Sequence, residues 1–161
     1  MKSVSIIDTS WFVHRCVSSP RSAEVSKYVG DPLAGPTFTL LNSLPKLYRE
    51  FPNPIFVSEG KPSRKLGIYP QYKSNRTHDE ESSSMRQYLR EMLADHLPTV
   101  FVSCEGEEAD DVIATVASRA DCPVRILSAD KDLWQLRDEQ IDVYTVGTYT
   151  GKYAIVTGLI S

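Results

Sequence analysis

Several things are scarce in this chain, and each scarcity removes a class of function. Only three cysteines occur, Cys16, Cys104 and Cys122, widely spaced and without ligand patterning. They supply neither a disulfide framework nor a zinc site, and a reducing cytoplasm is the compartment expected of such usage. The three histidines, His14, His78 and His96, lack partners at ligand spacing and receive no chemistry. No stretch is apolar for long enough to cross a bilayer, and the amino terminus shows no basic region followed by an apolar run. A soluble protein with no membrane partner is therefore expected. Neither common glycine-rich phosphate loop is present, so nucleoside triphosphate binding has no support. There is no internal repeat. A formal net charge of -3 gives no global basic signature, so any nucleic-acid surface must be local. What remains, 161 residues that are 41% hydrophobic, suits one α/β domain over residues 1–161.

Acid is what the chain concentrates. Glu105-Gly106-Glu107-Glu108-Ala109-Asp110-Asp111 and Ser128-Ala129-Asp130-Lys131-Asp132 each stand where a strand pattern passes to a helical one. Thr99 to Ser103 and Val124 to Leu127 are short, apolar and β-branched. Val112 to Ala117 and the trio Leu133, Trp134 and Leu136 show helical recurrence. Val4-Ser5-Ile6-Ile7-Asp8 reads as a buried strand ending in a third acid, followed by a helix from Trp11. In an open parallel sheet, functional residues gather outside the carboxyl ends of the strands, where all these acids fall.

Five carboxylates there, Glu108, Asp110, Asp111, Asp130 and Asp132, would repel one another unless a cation held them, with Asp8 a sixth ligand. Hard oxygen donors suit Mg²⁺ or Mn²⁺, one or two ions. On a helix, Glu108 and Asp111 would share a face with Asp110 turned partly away. The competing role is helix capping, which alone would account for a single acid such as Asp132. Capping is too small a task for the whole set.

The other elements follow in order. Ser18 to Pro36 is rich in Ser, Gly and Pro and suggests a loop. Phe38, Leu41, Leu44 and Leu47 recur at helical spacing, with a kink or late start expected at Pro45. Ile55-Phe56-Val57 is another strand. The only basic stretch follows: Lys61, Arg64, Lys65, Lys73 and Arg76, interleaved with Tyr69 and Tyr72. Cations among aromatics suit a phosphate backbone with an unstacked base. Thr77 to Ser84 reads as flexible, with Asp79, Glu80 and Glu81 a solvated face or helix start. An amphipathic helix from Met85 to Leu97 comes next. Ile141 to Val146 is a last strand, and a turn leads into Ala154-Ile155-Val156.

Assembled, these motifs resemble the 5′-nuclease family: the exonuclease domain of bacterial DNA polymerase I and the flap endonucleases. The landmarks are Ile7-Asp8, Tyr69 to Arg76, Glu108 to Ile113 and Ser128 to Leu133, in family order from about residue 4 to 146. The resemblance implies a PIN-like fold, a mostly parallel central sheet flanked by helices, with a basic arch near residues 61–84. It implies that Asp8, Glu108, Asp110, Asp111 and Asp130 hold a first metal and that Asp132 leans toward a second. Lys73 and Arg76 would act in the arch, Lys73 on the scissile phosphate, with Tyr72 stacking on a base and Arg64 and Lys65 beside them. The implied chemistry is metal-assisted hydrolysis of branched or 5′-ended DNA, or RNA-DNA, in the cytoplasm of a bacterial or phage-infected cell.

Two departures stand out. Ser58 occupies the place of a family aspartate after the second strand, with Glu59 beside it as a substitute that would have to swing in. The family's helix-three-turn-helix region is not found in these residues, so the expectation is a split nuclease with a separate carboxy-terminal partner, a fragment, or a reduced relative with altered activity. A non-catalytic DNA-binding subunit and a PIN-like ribonuclease are the competing readings.

Overall fold

The computed structural model describes residues 2–59, 80–146 and 153–156. Six strands form one sheet: β1 (Val4–Asp8), β2 (Pro54–Val57), β3 (Val100–Val102), β4 (Val124–Leu127), β5 (Ile141–Val146) and β6 (Tyr153–Ile155). Their spatial order is β3-β2-β1-β4-β5-β6, parallel throughout except for the antiparallel β5–β6 pair.

The helices are α1 (Thr9–Ser18), α2 (Pro20–Val29), α3 (Ala34–Glu50), α4 (Glu80–Asp95), α5 (Ala109–Arg119) and the single turn α6 (Lys131–Trp134). None among the described residues is long and apolar enough to cross a membrane.

The strands alternate strictly between two cores, as a pleat buried on both faces must. Ile7, Phe56 and Leu127 point to one core with Phe12, Leu40 and Leu89 from α1, α3 and α4. Ile6, Val57 and Ile126 point to the other, under Val112 and Ile113 of α5. Each such side chain contributes roughly 1.5–3 kcal/mol by leaving water. The two cores hold the central strands rigidly, and that rigidity fixes the acids at their ends.

Three expectations change. Ser18 to Pro36 is not a loop: α2 occupies most of it, begun by Ser19 as N-cap with Pro20 in its first turn and closed by Gly30 at φ 82°. Those start and stop signals outweigh its low hydrophobicity. Second, α3 runs from Ala34 through Pro45 to Glu50 without starting late. Burial of Leu40, Leu44 and Leu47 on one face offsets the bond that Pro45 forfeits. Third, α4 begins at Glu80, so residues 80–84, assigned to the arch and read as flexible, are helical, and the helix start offered for Glu80 and Glu81 holds. Acids suit a first turn.

Candidate metal centre

β1 and β4 are neighbours, and the chain turns to opposite sides of them: β2 and β3 lie beyond β1, β5 and β6 beyond β4. Their carboxyl ends therefore form the topological switch point of the sheet, where a crevice opens between diverging connections. Asp8 ends β1, and Ser128 to Asp132 follow β4 directly.

Three helices also begin at this edge, and each is preceded by a site acid: Asp8 before α1, Glu108 before α5 and Asp130 before α6. Only Asp130 uses its side chain as a cap, accepting from the Asp132 N–H at 2.9 Å. Capping therefore falls to Asp130 and leaves Asp132 in the first turn of α6.

Carboxylate oxygens of Asp110, Asp130 and Asp132 lie within 4.8 Å of one another. Asp8 stands behind them, 9% exposed, and is tied to the same loop. The Asp130 N–H donates to Ser128 Oγ at 3.0 Å, and that hydroxyl donates to Asp8 Oδ2 at 2.7 Å. One serine thus joins β1 to β4 and fixes the Asp8 carboxyl. Burial pushes the Asp8 pKa from 3.8 to about 6, and the charges of Asp110 and Asp130 add to this. The Ser128 hydroxyl and the Trp11 amide pull the other way. Burial likewise raises Asp110, and Asp130, Glu108 and Asp111 push it further. Carboxyls whose charges oppose one another, offering oxygen ligand atoms, fit a hard divalent cation.

The anticipated pairing of Glu108 with Asp111 needs correction. α5 starts at Ala109, so Glu108 has an extended backbone, φ -82° and ψ 158°, and stands outside the helical register. Asp110, expected to turn partly away, is the α5 acid that meets Asp130 and Asp132. Glu108 and Asp111 remain close enough to act on its charge.

Ser58 is buried at the end of β2, and its N–H donates to Val102 O at 2.9 Å. Glu59 is the neighbouring acid expected to swing in. Its carboxylate lies 3.5 Å from Ser10 Oγ and acts on the half-buried Arg90 of α4. Arg64, Lys65, Tyr72, Lys73 and Arg76 lie outside the described residues. Ser128 is the site residue that sequence reasoning left without a task. Its position directly after a strand facing Asp8 was the available signal.

The comparisons with known proteins bear on this arrangement. A family model described as the N-terminal resolvase-like domain of 5′-3′ exonuclease matches residues 3–157. The chain belongs to this family. DNA polymerase I of Pseudomonas aeruginosa is 31% identical over 161 residues, 96% of this chain and 17% of the relative. DNA polymerase I of Thermus aquaticus is 30% identical over 145 residues, 87% of this chain and 17% of the relative. A 5′-3′ exonuclease of Streptomyces coelicolor is 32% identical over 93 residues, 51% of this chain and 31% of the relative. The exonuclease-family chain thus spans about a sixth of the polymerases and a third of that exonuclease.

Among solved structures, the phage T5 flap endonuclease with DNA and metal ions gives a TM-score of 0.60 at 19% identity, covering 94% of this chain and 57% of that one. Human GEN1 with Holliday junction DNA gives 0.59 at 18%, covering 96% and 37%. At such identity these two matches show the shared fold.

Proposed function

We propose that this chain is a metal-dependent 5′-nuclease domain that hydrolyses phosphodiester bonds in branched or 5′-ended DNA. The supporting observation is the convergence of the Asp110, Asp130 and Asp132 carboxylates within 4.8 Å at the switch point, backed by Asp8. In this reading those four hold Mg²⁺ or Mn²⁺, with Glu108 and Asp111 at the margin. A bound divalent cation would neutralise charge building on the phosphate and ease ionisation of water beside it. The chain's own contribution is placement. Two packed cores and the Ser128 bridge hold the acids still, so little reorganisation is needed as charge develops on the phosphate.

Lys73 and Arg76 are assigned to the incoming strand, with Arg64, Lys65 and Tyr72 alongside, from their sequence pattern alone. A duplex grip from a helix-three-turn-helix element, in a partner or in a longer form of the chain, completes the assignment. RNA-DNA substrates fall within the same chemistry.

The test is cleavage of end-labelled flap DNA with Mg²⁺ or Mn²⁺ and with chelator, using wild type and Asp110→Asn. Metal-dependent cleavage lost in the variant supports the proposal. Identical cleavage by both proteins refutes the site. One observation favours a second reading: buried Ser58, where the family pattern has an aspartate, brings no charge of its own. Flap binding without cleavage under every metal condition would identify a non-catalytic DNA-binding subunit.

A further inference from the structure

A cavity of about 220 Å³ opens between α1, α3 and β6, apart from the acidic edge. Arg15, Ser19, Thr39, Asn42, Lys46 and Tyr153 line it, and among the described residues no carboxylate does. Lys46 Nζ lies 5.1 Å from the centre of the Tyr153 ring, which steers the ammonium along the wall. Ser19 is the N-cap of the ten-residue α2, and its side chain makes no capping bond. Glu50 acts on Tyr153 from nearby but does not line the cavity.

Two cations, a carboxamide, hydroxyls and an uncapped helix start around one concavity make a receptor for an oxyanion. We propose that this cavity binds a phosphate group, with Arg15 and Lys46 as its charged contacts and Ser19 and Asn42 completing the shell. Arg15 lies seven residues beyond Asp8, the N-cap of α1, which is about 10 Å along the helix axis. A phosphate held there would sit roughly three nucleotides of strand from the acidic edge. The group is therefore a strand phosphate or a free phosphate ion, and the two are experimentally separable.

Inorganic phosphate is titrated against chloride at constant ionic strength, with chelator present, by phosphorus NMR and calorimetry. Working without metal makes the result independent of the nuclease assignment. Wild type should bind phosphate in preference to chloride. Lys46→Gln and Arg15→Gln should each weaken binding about tenfold, the loss of one charge-assisted hydrogen bond. Lys27→Gln, on the exposed face of α2, should leave it unchanged. Melting curves check that the variants fold.

The same variants are then tested for flap DNA binding in chelator. Weaker DNA binding with a salt slope reduced by about one identifies a strand phosphate. Unchanged DNA binding with lost phosphate binding identifies a free ion. If neither ligand responds to either variant, or phosphate and chloride bind alike and DNA binding is unaltered, the proposal is overturned.

Discussion

At the scale of single residues, Asp8 carries the conflict built into this site. Its carboxyl is buried and ordinarily neutral below about 6, so the folded protein holds a proton there that the unfolded chain releases above 3.8. In metal-free protein, Asp8 therefore lowers stability as pH rises through that interval, by on the order of 3 kcal/mol at the upper limit. Asp8→Asn preserves the acceptor for the Ser128 hydroxyl and removes the charge. Above about pH 6 the metal-free variant should be more stable than wild type in urea titrations, and the gap should close as pH falls toward 4. A gap independent of pH would mean that Asp8 is not strained. Ser128→Ala has the opposite sign. It strips Asp8 of its donor and the Asp130 N–H of its acceptor, costing about 1–3 kcal/mol of stability and roughly 10–100-fold in divalent affinity. Thermal melts with and without Mn²⁺ would show both losses.

At the scale of elements, the site depends on where helices begin. α5 starting at Ala109 rather than Glu108 decides which of three adjacent acids faces α6. Sequence periodicity places a helix start only to within a residue or two, which is why the acidic edge was legible and the choice of Asp110 was not. α2 was illegible for another reason: it packs chiefly on α3, and only Ser22 of its residues is buried, so there was little apolar periodicity to read. Its contact is instead made by backbone. A methyl group at Gly35 would collide with the Ser22 carbonyl, which no side-chain rotation relieves. Gly35→Ala should cost about 3 kcal/mol. Gly30→Ala meets open space and bears only the strain of φ 82°, about 1 kcal/mol. Urea denaturation of the two variants checks the ranking, and a Gly30 cost equal to or above that of Gly35 would contradict the packing described.

At the scale of the whole molecule, strand order is what turns scattered acids into a centre. Asp8 and Asp130 are far apart in sequence, yet β1 and β4 are adjacent and parallel, so both chains arrive at the same edge. That much followed from short apolar strands each ending in acid, because parallel topology leaves only one edge for their carboxyl ends. The buried Ser128 bridge did not follow, since serine after a strand is ordinary in composition and acquires its role only from the β1–β4 register. Nor did the fate of Glu59, which depends on Ser10 and Arg90 from two other elements. The acidic edge as a divalent-cation site is the claim on which the functional assignment rests. Calorimetric titration of Mn²⁺ into the metal-free protein, beside Asp130→Asn, tests it most directly. Saturable binding by wild type, weakened at least about a hundredfold in the variant, is the predicted result. No binding by wild type, or the same isotherm from both proteins, would contradict it.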